Sequence, residues 1–239
     1  MQRLTQLITC LLGTLLFGAA AAADAILPKP FTATYEVTYR GMRAGQITFK
    51  LTRDDATGRY TYETTADPSF LARIVISNAA VERSVMEIGP NGVRPLEWSL
   101  DDGKPGTARD GQLQFDWNKK LVTGVIEGEK IELPLEPGLQ DRLSIQIDVV
   151  TSLLRGEEPG LIPLIDDNRV KRYSYVKKET TSIDTKLGKL DAIVYESTRQ
   201  GSSRQSRFWL VPDREYLAAR AEQIRKGKVE TVMVLQSVQ

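Results

Sequence analysis

Three pairs of neighbouring aspartates, Asp54-Asp55, Asp101-Asp102 and Asp166-Asp167, are the densest groupings of side chains able to do chemistry in this sequence. Paired carboxylates hydrolyse glycosides when they face each other across a cleft, about 5 to 9.5 Å apart. All three pairs fall in stretches with Gly or Asn nearby. Aspartate favours such places because its side chain hydrogen-bonds adjacent backbone, so turn chemistry is the reading. The run from Asp101-Asp102-Gly103 to Asp110 can gather oxygen ligands for calcium. It lacks the EF-hand spacing and its bidentate glutamate, and no metal is expected. Ser144, in Gln140-Asp141-Arg142-Leu143-Ser144, has no lysine near it in sequence for a Ser-Lys dyad. It is expected to close a local hydrogen bond at a helix start.

Histidine is absent from the chain, and Cys10 is its single cysteine. Ser-His-Asp and Cys-His catalysis are therefore ruled out, as are CxxC zinc sites and His-ligated haem. Gly41-Met42-Arg43-Ala44-Gly45 matches neither phosphate-binding glycine motif and reads as a turn. No catalytic residue and no cofactor is expected.

Met1 to Ala23 has the parts of an export signal: Arg3, an apolar stretch from Leu7 to Phe17, and Ala21-Ala22-Ala23 as the cleavage site. Cys10 precedes the apolar stretch, whereas a lipidation cysteine would follow it. Cleavage after Ala23 leaves residues 24–239 as one extracytoplasmic, periplasmic domain with no cysteine, held by an ordinary hydrophobic core. Removing Arg3 from 32 basic residues leaves 31 against 31 acidic ones, a balance that argues against nucleic acid as a partner. No later segment is long and apolar enough to span a membrane.

The elements that must position any site are mostly strands. From Phe31 to Arg40 the odd positions are apolar or aromatic and the even ones polar, which is a strand with one buried face. The same alternation recurs through Ile47-Phe49-Leu51, Tyr60-Tyr62 and ten further stretches between Val81 and Ser237, with Lys226-Gly227 as a tight hairpin turn. One segment breaks the period. Leu143, Ile147, Val150 and Leu154 stand at helical spacing, Ile145, Val149 and Leu153 widen the apolar face, and Asp141 and Gly156 suit the two ends. The fold expected is mainly β: a large curved antiparallel sheet, sandwich or open barrel of about a dozen strands, with one packed helix from Asp141 to Leu154. A short helical turn is expected at residues 70–75.

Aromatic side chains fall on these strands throughout. Core packing accounts for them by default, but a large curved sheet can also hold an apolar ligand on its concave face. The candidate lining residues are Tyr35, Phe49, Tyr62 and Trp117 from early strands, Ile147 and Val150 from the helix, and Trp209 from a late strand.

Four elements in order carry a resemblance. These are Tyr35-Glu36-Val37 to Gly45 (Y-E-V-x-Y-x-G-x-x-A-G), Gln140 to Ser144, Leu187-Gly188, and Phe208-Trp209-Leu210-Val211-Pro212-Asp213. Together they resemble the exported bacterial family known as domain of unknown function 3108. Ala218-Ala219 stands where that family usually has proline-valine. The resemblance implies an extracytoplasmic, mainly antiparallel β protein and carries over no catalytic residues. At the level of fold alone, it is also similar to periplasmic lipoprotein carriers, which shelter acyl chains on a curved sheet.

Two readings follow. In one, the protein binds or carries an apolar or amphiphilic ligand such as a lipid, which requires a cavity of a few hundred Å³ between sheet and helix. In the other, it is a structural or interaction protein of the cell envelope whose edge strands pair with a protein partner. A carboxylate hydrolase is a third, weaker reading; it needs two carboxylates facing across a pocket, one with a raised pKa.

Overall fold

The computed structural model describes residues 26–70, 72, 77, 79–106 and 109–239. The expected export signal, with Cys10, and most of the expected turn at residues 70–75 lie outside the described residues.

The strands are β1 (Phe31–Tyr39), β2 (Met42–Arg53), β3 (Tyr60–Pro68), β4 (Val81–Gly89), β5 (Gly92–Asp101), β6 (Gly111–Asp116), β7 (Leu121–Ile126) and β8 (Glu129–Pro134). Helix α1 (Ser144–Leu154) follows, then β9 (Leu161–Asp166), β10 (Arg169–Thr185), β11 (Gly188–Arg199), β12 (Arg204–Val211), β13 (Leu217–Arg225) and β14 (Lys228–Val238). All fourteen form one antiparallel sheet in which each strand pairs with its sequence neighbours, except at two places. β1 pairs with β14, which brings the two ends of the chain together in mid-sheet, and β8 and β9 remain as the edges. The sheet is thus an open barrel, with its seam where the chain leaves for α1.

Local chemistry explains the tight reversals. Arg40-Gly41, Glu127-Gly128 and Lys226-Gly227 all have positive φ at both residues, the backbone of a two-residue hairpin whose twist matches its strands. The turn expected over Gly41 to Gly45 is confined to Arg40-Gly41. Gly45 lies within β2 at φ +136°, beside a bulge against β1, and a Cβ there would sit 2.3 Å from the Asp67 carbonyl oxygen. β9 escaped the strand pattern because Pro163 interrupts a six-residue run. Proline is tolerated there because β9 is an edge.

The seam is closed by side chains and one short segment. Leu135, Leu139 and Ile165 pack in one core with Trp98, Leu113, Phe115, Val122 and Ile131, so the cluster spans β5 to β9. Gln140 donates its backbone N–H to the Pro163 carbonyl at 2.9 Å and accepts from the Ile165 N–H at 2.9 Å. Its side-chain amide reaches the Val93 carbonyl on β5, also at 2.9 Å.

The helix starts three residues later than expected. Asp141 still caps it: one carboxylate oxygen accepts the N–H groups of Leu143 and Ser144, both at 2.8 Å, and the other accepts the Ser84 hydroxyl at 2.7 Å. Ser144 Oγ accepts the Asp141 N–H at 2.9 Å, the local bond expected of it. Along the rest of α1, Asp148 accepts the Val93 N–H at 3.4 Å and Arg155 donates to the Gly89 carbonyl at 2.9 Å. The helix is thereby clipped along the β4–β5 hairpin. Its apolar side chains divide: Leu143 and Ile147 join the core of β1–β5, while Ile145, Val149 and Leu153 join that of β9–β12. The stripe expected to bury was Leu143, Ile147, Val150 and Leu154. Val150 and Leu154 are only partly buried, and the flanking set of Ile145, Val149 and Leu153 goes deeper. A helix inside a curved sheet meets wall on two sides, so both stripes find a partner.

Candidate functional site

A cavity of about 680 Å³ lies between α1 and the concave face of the sheet. On one side its wall is Tyr35, Phe49 and Tyr62, with the Tyr35 and Phe49 rings edge to face at 5.5 Å and Phe49 and Tyr62 stacked at 5.8 Å. On the other are Tyr175 and Phe208, stacked at 6.3 Å, with Tyr195 beside them. Ile145, Ile147, Val149 and Val150 close it from the helix. Burial pushes the hydroxyls of Tyr35 and Tyr62 above the ordinary tyrosine range and that of Tyr175 up to about 12, so these rings stay uncharged. Tyr62 donates to Gln146 Oε1 at 3.4 Å.

Five of the seven residues expected to line a ligand site, Tyr35, Phe49, Tyr62, Ile147 and Val150, border this one cavity. The other two do not. Trp117 donates its indole N–H to the Pro95 carbonyl at 2.7 Å and packs against the core across the seam. Trp209 alternates out of the concave face, with the guanidinium groups of Arg220 and Arg207 at 5.4 and 5.9 Å from its ring. In Phe208-Trp209 two adjacent aromatics must point to opposite faces of a strand, and the sequence expectation chose the outer one. Tyr175, Tyr195 and Phe208 were legible as strand aromatics; their convergence on the helix was not.

A second hollow, of about 550 Å³ and polar, adjoins the first at one end of the barrel. Asp166, Tyr173, Ser197, Ser206, Gln223 and Thr231 border both, so the two spaces share a wall.

Among the described residues, the carboxylates that border the polar hollow, Asp166 and Glu230, are each paired with a cation. Asp166 and Asp167 both accept from the Lys171 ammonium, and Glu230 is held below the ordinary glutamate range by Arg40, at 2.9 Å. The two carboxyl groups that burial pushes up to about 6, Asp141 and Asp148, anchor the helix and do not border the large cavity. Asp101, Asp102 and Asp110 do come together, with carboxylate oxygens within 4.8 Å of one another. They accept the N–H groups of Gly103, Lys104 and Asp102, which is turn chemistry.

Residues 34–234 match the family described as "Protein of unknown function (DUF3108)". The chain belongs to that family. No curated protein matches it. Among solved structures it is similar to a β-barrel-like protein of domain of unknown function DUF1849 from Brucella abortus, at 13% identity and a TM-score of 0.52, covering 90% of this chain and 99% of that one. A protein from Parabacteroides distasonis, provisionally described as a lipoprotein, aligns at 10% identity and a TM-score of 0.35 over 89% of this chain and 96% of its own. The first likeness shows the fold, an antiparallel β-barrel-like sheet. Among the described residues no helix is long and apolar enough to cross a membrane.

Proposed function

We propose that this DUF3108 protein is an exported, periplasmic, non-catalytic single-domain protein that binds an apolar or amphiphilic ligand inside its open barrel. One observation carries the reading: a cavity of about 680 Å³ walled by aromatic rings and one apolar helix face, in the size range of small-ligand sites. A filled core would leave no such space, because protein interiors otherwise pack to crystal density. Its lining is mostly hydrocarbon, with hydroxyls and some charged side chains such as Arg142, Asp166, Asp213 and Arg214, which suits an alkyl chain with a polar group better than a polar metabolite. The export reading is supported by the Met1 to Ala23 sequence. Pairing with an envelope protein through an edge strand has less in its favour, since the Gln140 segment already occupies part of the β9 edge.

Native mass spectrometry and solvent extraction of protein purified from the periplasm without detergent test this. A stoichiometric alkyl-chain compound is expected, and Ala221→Trp, which places a bulky ring in the cavity, should lose it while remaining folded. A stable protein partner together with an empty extract would overturn the reading in favour of an interaction module.

A further inference from the structure

We infer that the ligand is an amphiphile with an anionic head, held by Arg199, Arg204 and Arg225 at the polar end of the cavity. This rests on the proposed ligand-binding reading and adds the chemistry and direction of the ligand.

Adjacent strands align their inward residues in rows. Tyr195, Phe208 and Ala221 form the deepest row, Tyr195 opposite Phe208 and Phe208 opposite Ala221. Two residues along, Ser197 faces Ser206, which faces Gln223. Two further along, Arg204 lies directly opposite Arg225, and Arg199 continues the same row on β11. Side chains two apart on a strand share a face, so one continuous wall passes from hydrocarbon to hydroxyl and amide to guanidinium. The first row borders the apolar cavity, the second borders both spaces, and the third borders the polar hollow.

The third row makes no close ion pair of its own; Glu230, bound to Arg40 on the same hollow, feels Arg225 and Arg204 only at longer range. Among the described residues, none of these three guanidinium groups makes an ion pair or side-chain hydrogen bond, whereas Lys171 is taken by Asp166 and Asp167 and Glu230 by Arg40. Like charges directly opposite on neighbouring strands destabilise a sheet. An arrangement that costs stability and points its donors into a hollow is what an anion would relieve. Guanidinium forks match phosphate and carboxylate oxygens in pairs. At the opposite end of the barrel Lys29 is already paired with Glu215, and Arg214 lies between Asp213 and Glu215 in the chain, so that mouth has no row of three cations.

The test compares dodecyl phosphate, uncharged dodecyl maltoside and inorganic phosphate, each below any micellar concentration, by calorimetry on the chain after Ala23. Wild type should bind dodecyl phosphate roughly tenfold or more tighter than dodecyl maltoside, and the preference should shrink with added salt. The triple variant Arg199→Gln, Arg204→Gln, Arg225→Gln should bind both alike, keep the maltoside affinity, and melt no lower than wild type. Equal binding of the two by wild type would overturn the anionic head while leaving the apolar cavity reading intact. Inorganic phosphate binding as tightly as dodecyl phosphate would replace the amphiphile with a free anion. Binding of none of the three would overturn both this inference and the ligand-binding reading.

Discussion

Inner positions on β5 to β8 and on β10 to β13 have the same strand alternation and opposite fates. On the first arm Trp98, Leu113, Phe115, Val122 and Ile131 are each at most 5% exposed and fill the space to the seam. On the second, Tyr195 is 2% exposed, but Tyr173, Tyr175 and Phe208 beside it are only partly buried where they border the cavity. The helix makes the difference. Its polar groups are spent on the β4–β5 hairpin through Asp141, Asp148 and Arg155, which fixes it close to one wall. The other wall meets it with apolar side chains alone, Ile145, Val149 and Leu153 packing on β9 to β12 beside the cavity. One wall thus gives rigidity and the other room, and which is which depends on where hydrogen bonds anchor the helix.

The comparison breaks first at the filled arm. Trp98 is 3% exposed, donates to Glu82 Oε1 at 2.9 Å, and carries Arg142 over its ring at 4.7 Å. Trp98→Ala should cost about 3 to 5 kcal/mol in urea unfolding, through lost burial and the cavity left behind. A cost near 1 kcal/mol would show that this arm is as loose as the other.

The helix sharpens the contrast within a single turn. Ile147 is 2% exposed and belongs to the β1–β5 core, so Ile147→Ala should cost about 2 to 5 kcal/mol. Val150 is half-buried and faces the cavity, and Val150→Ala should cost about 1 kcal/mol or less while changing ligand retention. Equal costs would mean that the cavity side is packed as tightly as the core side.

The clips on the filled side also predict a pH dependence. Asp141 and Asp148 keep their protons up to about pH 6 in the folded protein, mainly because burial disfavours the charge, against 3.8 for an ordinary aspartate. Between those values the folded state holds more protons than the unfolded chain, so rising pH lowers stability. The loss should be on the order of 1 to 3 kcal/mol from pH 4 to pH 6, then level off. Unfolding midpoints at pH 4, 5, 6 and 7 measure it, and Asp148→Asn should flatten the slope. A stability that instead rises over this range would show that the hydrogen bonds to these carboxylates outweigh their burial.

The smallest effect belongs to the outer face. Trp209→Ala removes the stacking of Arg207 and Arg220 and a partly exposed ring that packs on Ala192, Val211 and Ala219, and should cost about 1 kcal/mol with ligand binding unchanged. Loss of ligand in this variant would return Trp209 to the site expected from sequence.

Much of the protein was legible one residue at a time. Period-two alternation marked the strands, Lys226-Gly227 marked the last hairpin, and a single period-3.6 segment with Asp141 before it marked the helix. Alternation tells which residues share a face but not which faces meet, so Tyr35, Phe49 and Tyr62 could be grouped with the helix, while Trp117 and Trp209, grouped with them, do not border the cavity. β9 was missed because Pro163 on an edge strand looks locally like a break.

The sequence by itself determined the element types, because alternation, capping and turn chemistry act over a few residues. Only the tertiary structure decided the rest: that β1 pairs with β14, that the seam falls between β8 and β9, and that α1 lies inside with both apolar stripes engaged. The arginine row is of the same kind. Arg199, Arg204 and Arg225 are ordinary surface charges in the sequence, and they become a site only because the register of three strands sets them in line. Register is fixed by long-range hydrogen bonding and burial, and no short window of sequence contains it.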